Sequence, residues 1–167
     1  MAQNLYEFIK CVVMDQGAAR DFEKRLDGKL KGNIQEMMDF ICRELPKVNS
    51  NYNWTGIYVL KKNKLKLAAF QGKETEHVEI ILGDGLCSQA ITQDGVVNEP
   101  DVKSNGKYLA CFPETSSEIV VPIRHKGIPI GEIDIDSDRK NAFSIEDEEF
   151  LSKICDKIAH RIRELHE

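Results

Sequence analysis

The order of elements legible in the chain predicts an α+β fold: an antiparallel sheet of about six strands, with the N- and C-terminal helices packed on one face. Three observations carry this. Apolar stripes at helical spacing bracket the chain at both ends. Two pairs of strand-like runs are joined through polar or glycine-containing turns, as in hairpins. Between the hairpins lies a short helix followed by a long polar loop.

The first helical stretch covers residues 4 to 30. Leu5, Phe8, Ile9 and Val12 share one face, and after a break near Gly17 the stripe resumes with Phe22, Leu26 and Leu30. Gly32 interrupts, and Asn33 is placed to cap a second helix, with Glu36 completing a capping-box-like pattern. Ile34, Met38, Ile41 and Leu45 form its buried face, and Pro46 is expected to end it. The first hairpin joins Trp54–Leu60 to Leu65–Phe70 through the polar turn Lys61–Lys64.

Val78–Leu82 reads as a third strand. Gly83-Asp84-Gly85 turns the chain into a short helix, Leu86–Thr92, and Asp94-Gly95 leads into an extended piece, Val96–Asn98. The loop from Glu99 to Ser117 is long for a compact domain, which marks it as functional, and the flanking Tyr108, Leu109, Ala110 and Phe112 suggest that it is ordered. Glu118–Ile123 and Ile128–Asp136 make the second hairpin around His125-Lys126-Gly127. Ser144, with Asp147 three residues on, caps a last helix whose stripe is Leu151, Ile154, Cys155, Ile158, Ile162 and Leu165.

The chain has 167 residues, enough for one domain and one core, with residues 1–32 as a helical extension and 33–167 as the main body. Its composition is 41% apolar, 31% charged and 7% aromatic, with a net charge of −5. An acidic chain without a dense basic run argues against nucleic acid and anionic membranes as partners. The apolar runs are too short for a membrane helix, and the N-terminus lacks the pattern of a signal peptide. Five scattered cysteines argue against a disulfide framework and for a reducing, cytoplasmic compartment. No C-x-x-C pair and no Cys/His cluster at zinc spacing occurs, so no structural metal is expected.

Cys11, Cys42 and Cys155 lie on or beside helical stripes, where a cysteine is ordinarily a small buried hydrophobe. Cys87 and Cys111, 24 residues apart, sit in polar, glycine-punctuated surroundings. Cys87 opens a short helix, whose amides would lower a thiol pKa, and Cys111 lies in the long loop. The residues alone leave structural and reactive roles open for both. Glu132, Asp134 and Asp136 alternate with Ile133 and Ile135, which puts the acids on one face of a strand and the isoleucines on the core side. That acidic face is solvated, or it lines a pocket where crowding would raise at least one pKa. Trp54 and Tyr58 share a face, either as sheet packing or as an aromatic wall for a thioether methyl.

Several stretches, in this order and spacing, resemble the free methionine-(R)-sulfoxide reductases, stand-alone GAF-domain enzymes. They are Asn53-Trp54-Thr55-Gly56-Ile57-Tyr58, Phe70-Gln71-Gly72-Lys73, Gly83-Asp84-Gly85-Leu86-Cys87, Pro100-Asp101-Val102, Tyr108-Leu109-Ala110-Cys111, Ser117-Glu118-Ile119-Val120-Val121-Pro122 and Gly131-Glu132-Ile133-Asp134-Ile135-Asp136-Ser137. The resemblance implies a GAF fold and a homodimer packed through helices. It implies reduction of free methionine-(R)-sulfoxide with electrons from thioredoxin, ultimately NADPH, and no bound cofactor. By position it implies Cys111 as nucleophile, Cys87 as resolving thiol, Trp54 and Tyr58 at the methyl-sulfoxide end, and Glu118, Asp134 and Asp136 around the amine and sulfoxide.

Three positions depart from the family pattern. His77 stands where a further cysteine is common, ten residues before Cys87; Phe112 replaces the usual aspartate after the nucleophile; and Ser88 replaces a glycine. With no other cysteine in the pocket stretches, a Cys87–Cys111 disulfide is the expected recycling intermediate. The competing reading is a non-catalytic GAF module that binds a small ligand or senses redox state. A chain with room for one domain leaves none for the output domain such a sensor serves, so the enzyme is the expectation.

Overall fold

The computed structural model describes residues 14–83, 85–106, 108 and 112–166. Helix α1 runs Gln16–Lys29. Asp15 caps it by accepting hydrogen bonds from the amides of Gly17 and Ala18. The part of the first expected helix before Met14, with Cys11, lies outside the described residues. Helix α2 spans Ile34–Val48, and the Asn33 side chain accepts from the Glu36 amide as expected. Pro46 does not end α2 but sits inside its last turn. Its missing N–H costs only one bond near the C-terminus, and its fixed φ suits the helix, so the chain continues to Val48 before Asn49 turns out.

Strands β1 (Trp54–Lys61) and β2 (Lys64–Gln71) form the first hairpin about a tight turn, in which Lys62 takes a φ of 56°. A short β3 (Glu79–Ile81) follows, then α3 (Leu86–Thr92) and β4 (Val97–Glu99). One turn of 3-10 helix at Val102–Ser104 begins the long loop. The described parts of this loop are pinned. The Val102 amide donates to the Ser116 carbonyl at 3.0 Å, and Asn105 reaches Glu99 at 2.6 Å. Strands β5 (Ser117–His125) and β6 (Ile128–Ser137) form the second hairpin, turning at Lys126 and Gly127 with φ of 54° and 79°. Helix α4 covers Ile145–His166.

The six strands form one sheet in the order β3-β2-β1-β6-β5-β4, with every pairing antiparallel. Helices α1, α2 and α4 pack on one face, as expected. Ile57, Val59, Ile119, Val121, Ile123, Ile133 and Ile135 point into the core they share with Phe22, Met38, Ile41, Leu45, Leu151, Ile154 and Ile158. Phe22 stacks on Phe40 at 5.6 Å and meets Phe150 edge-on at 5.8 Å. Among the described residues, the apolar stripes of α1, α2 and α4 therefore pack into this core. The start of α4 is held by Ser144 and Asp147, whose side chains bond each other's backbone amides. Asp147, fully buried, also accepts from Asn49 at 2.9 Å and Tyr52 at 2.5 Å, tying α4 to the segment before β1.

On the opposite face lies a smaller cluster built by α3, β4 and the long loop over β1, β5 and β6. Leu86, Cys87, Ala90, Ile91, Val97, Val102 and Val120 belong to it, together with Trp54 and Tyr58. The helices are thus not all gathered on one side: α3 covers the other.

Candidate active site

Sheet register assembles the second face. On β6, Asp136, Asp134 and Glu132 lie opposite Trp54, Gly56 and Tyr58 of β1 on one side, and opposite Glu118, Val120 and Pro122 of β5 on the other. Paired residues share a face, so three neighbouring strands bring Trp54, Tyr58, Glu118, Glu132, Asp134 and Asp136 together. The expected alternation holds, but a solvated acidic face does not. Glu118, Glu132, Asp134 and Asp136 are between 0% and 3% exposed. The solvated reading fails because α3 and the long loop cover this side.

Both Glu132 oxygens, Oδ1 of Asp134 and both oxygens of Asp136 are buried without a well-formed hydrogen bond among the described residues. Burial, then the charges of Asp134, Asp136 and Glu132, push Glu118 well above the usual carboxylate range. Burial also raises Glu132, opposed by the Cys87 thiol, and lifts Asp136, opposed by nearby Thr115. Asp134 is lifted by burial to about 7, held from rising further by contacts with Cys87 and Glu118. Such a group titrates as a unit, and near neutral pH it retains protons unless a cation replaces them.

Cys87, on the first turn of α3, points its thiol into these acids, with Sγ 3.5 Å from Oδ2 of Asp134. The lowered pKa expected from the helix amides does not hold. Burial, and then the charges of Asp134, Glu132 and Glu118, push the thiol well above its ordinary value. A seven-residue helix cannot offset a dry, acidic surrounding. Cys42 and Cys155 are buried in the helix-side core, as expected, and burial raises both their pKa values. All three of these cysteines carry free thiols. Cys111 lies outside the described residues. Its sequence neighbours Tyr108 and Phe112 both pack against the second cluster.

At Asp136, one end of the acid row, opens a cavity of ≈ 270 Å³ whose wall also includes Trp54, Phe112, Thr115 and Ser137. Trp54 is bedded on two glycines. A Cβ at Gly56 would overlap its ring, and one at Gly72, which has a φ of +128°, would fall 2.6 Å from it. The indole N–H donates to the Lys73 carbonyl at 3.0 Å, and Phe112, Phe70 and Tyr58 lie 5.9, 6.2 and 6.5 Å from the ring. Tyr58 is fully buried beneath, and its hydroxyl donates to the His77 carbonyl at 2.9 Å. An ion pair between exposed Lys73 and Glu114 stands at the rim.

Of the residues expected at the site, Trp54 and Asp136 line the cavity, while Tyr58, Glu118, Asp134 and Cys87 are buried and do not reach its wall. Phe112, noted only as a departure, is part of the wall. Glu132 joins the acids through the same two-residue period that placed Asp134 and Asp136. Glu114 and Thr115 carry no sequence signal, whereas Lys73 and Ser137 fall inside the stretches that carry the family resemblance. The arrangement suits a small ligand with one apolar end against Trp54 and Phe112 and a cationic group over the acids.

A GAF domain model matches residues 32–163. The chain is 59% identical to the type II free methionine-R-sulfoxide reductase from Thermoplasma acidophilum, superposing with a TM-score of 0.76 over 78% of this chain and 92% of that one. The free methionine-R-sulfoxide reductase of Neisseria meningitidis, solved with its substrate, is 25% identical, with a TM-score of 0.81 over 91% of this chain and 93% of that one. The free methionine-R-sulfoxide reductase of Saccharomyces cerevisiae is 34% identical over 140 residues, 80% of this chain and 77% of that protein. The chain belongs to the GAF domain family and, within it, to the free methionine-R-sulfoxide reductases, a family of enzymes.

Proposed function

We propose that the protein reduces free L-methionine-(R)-sulfoxide to methionine, with Cys111 as the nucleophile. The observation that carries this is a buried acid cluster, several of whose oxygens have no well-formed hydrogen bond among the described residues, with Asp136 reaching an aromatic-walled cavity. A free amino acid has what such a site needs: an ammonium group to replace the protons on the acids, and a methyl-sulfoxide end for the aromatic wall. Trp54 and Tyr58 form or back that wall, and Glu118, Asp134 and Asp136 hold the amine and the sulfoxide oxygen. The cluster's raised pKa values keep one carboxyl protonated after the ammonium binds, and that proton goes to the sulfoxide oxygen.

In the reaction the Cys111 thiolate attacks the sulfoxide sulfur. Oxygen leaves for the cysteine, methionine departs, and Cys111 is left as a sulfenic acid. The Cys87 thiol condenses with it to a disulfide, releasing water, and Asp134, at 3.5 Å, is placed to take the Cys87 proton. Thioredoxin then opens the disulfide by exchange, so NADPH is the ultimate reductant. His77 at the common resolving position leaves this role to Cys87. The reading includes a cytoplasmic setting and a homodimer. Sedimentation velocity tests the homodimer.

The test is a coupled thioredoxin assay that follows NADPH oxidation with the R and S epimers of free methionine sulfoxide. Turnover with R alone, abolished in Cys111→Ser, is the expected outcome. Cys87→Ser should give one stoichiometric burst and then stop. Absence of even a single turnover by pre-reduced protein refutes the reductase and leaves a ligand-binding GAF module.

A further inference from the structure

The acid cluster contains a feature that binding an ammonium group does not use: a thiol set among carboxylates. We propose that Cys87, Glu118 and Asp134 form a binding site for a thiophilic divalent cation of the zinc class. One ligand atom from each of these three buried residues lies within 4.8 Å of the other two. On a tetrahedral zinc ion, donor atoms sit roughly 3–4 Å apart, from metal–sulfur and metal–oxygen bonds of ~2.3 and ~2.0 Å. Small side-chain rotations therefore close the triangle around an ion. The three donors come from α3, β5 and β6, elements fixed by the sheet and its covering helix, so the site is preorganised. This origin also explains why spacing along the chain gave no metal signature.

A second observation points to a cation. Oδ1 of Asp134 and both oxygens of Glu132, on residues that are 0% exposed, have no well-formed hydrogen bond among the described residues. Buried carboxylates need a proton, a hydrogen bond or a positive charge. Glu132, on the same face of β6 as Asp134, interacts with the Cys87 thiol and adds a further buried carboxylate beside the three donors. The donor set selects the metal. Carboxylates alone suit magnesium or calcium, whereas a thiolate shifts preference to zinc, cobalt or cadmium. Asp136, the next acid along β6, lines the cavity described above. Occupancy would neutralise acids that the reductase reading assigns to the substrate amine. The metal site itself stands without that reading, and its test does not use turnover.

The experiment titrates cobalt(II) into the reduced, metal-free full chain under anaerobic conditions. The expected result is binding of one equivalent, with a near-ultraviolet thiolate-to-cobalt charge-transfer band and intense visible bands of tetrahedral geometry. Zinc(II) should abolish these bands and excess magnesium(II) should not. Cys87→Ser should lose the charge-transfer band and bind roughly tenfold or more weakly, while Cys111→Ser keeps the band. Asp134→Asn, which keeps volume and thiol, should weaken binding by a similar factor. Circular dichroism checks that each variant is folded. No binding by wild type, a band that survives in folded Cys87→Ser, or an unchanged affinity in Asp134→Asn overturns the proposal.

Discussion

The two faces of the sheet carry the same strands and opposite chemistry. Along β6, Ile133 and Ile135 enter a dry core under three helices, while Glu132, Asp134 and Asp136 enter a space nearly as buried and full of charge. The helix side is mostly apolar: its side chains interlock, and the carboxylate of its polar knot, Asp147, accepts hydrogen bonds from Asn49, Tyr52 and Ser144. The other side holds four buried carboxyls and a thiol, and several of the carboxyl oxygens have no well-formed hydrogen bond among the described residues. One face contributes stability, and the other gives up stability to hold a site that is complete only with a ligand.

The largest effect should come from moving a charge to the wrong face. Ile135→Asp places an unpaired carboxylate in the helix-side core, at a cost of at least about 4 kcal/mol, a large share of a small domain's stability. No cooperative thermal transition should remain. The reciprocal change, Asp134→Asn, should leave folding intact and lower kcat/KM by about 10²- to 10⁴-fold, by removing an acid and a contact to the Cys87 thiol. Steady-state kinetics beside a melting curve separates the two effects.

A smaller effect sharpens the contrast in pH. The folded-state pKa values of Glu118, Glu132, Asp134 and Asp136 are raised above those of the unfolded chain. The folded state therefore holds more protons, and this contribution to stability is complete at acidic pH and is lost as pH rises through about 7, where Asp134 titrates. The Tm of the unliganded protein should fall over that range, and should fall less steeply in Asp134→Asn. Smallest is Cys155→Ala on the helix side. That thiol lies 3.5 Å from the Val121 carbonyl, in the core on the other face of the sheet from the acids, so the change should cost about 1 kcal/mol and leave turnover per folded molecule unchanged.

Much of the fold was legible because local rules and tertiary packing agree. The Asn33 and Ser144 caps, both hairpins and the Leu86–Thr92 helix follow from side-chain chemistry within a few residues. Pro46 does not stop its helix because a breaker near a helix end removes only one bond. The site was half legible. Period two put Asp134 and Asp136 on one face, and the resemblance to a known family supplied their role. The part played by Phe112 in the cavity wall was not readable from its position after Cys111.

The sequence by itself determined which residues alternate, where helices begin and where the chain turns, since these depend on neighbours a few positions away. It also determined family membership, through short motifs kept in order. Tertiary structure alone decided that the acidic face is buried and that the Cys87 thiol is pushed up in pKa rather than down. Both depend on desolvation by groups distant in sequence: Cys87 and Asp134 are 47 residues apart, yet 3.5 Å apart in the fold. Helix-end amides act within a turn and favour the thiolate, but burial beside buried carboxylates acts more strongly in the opposite direction.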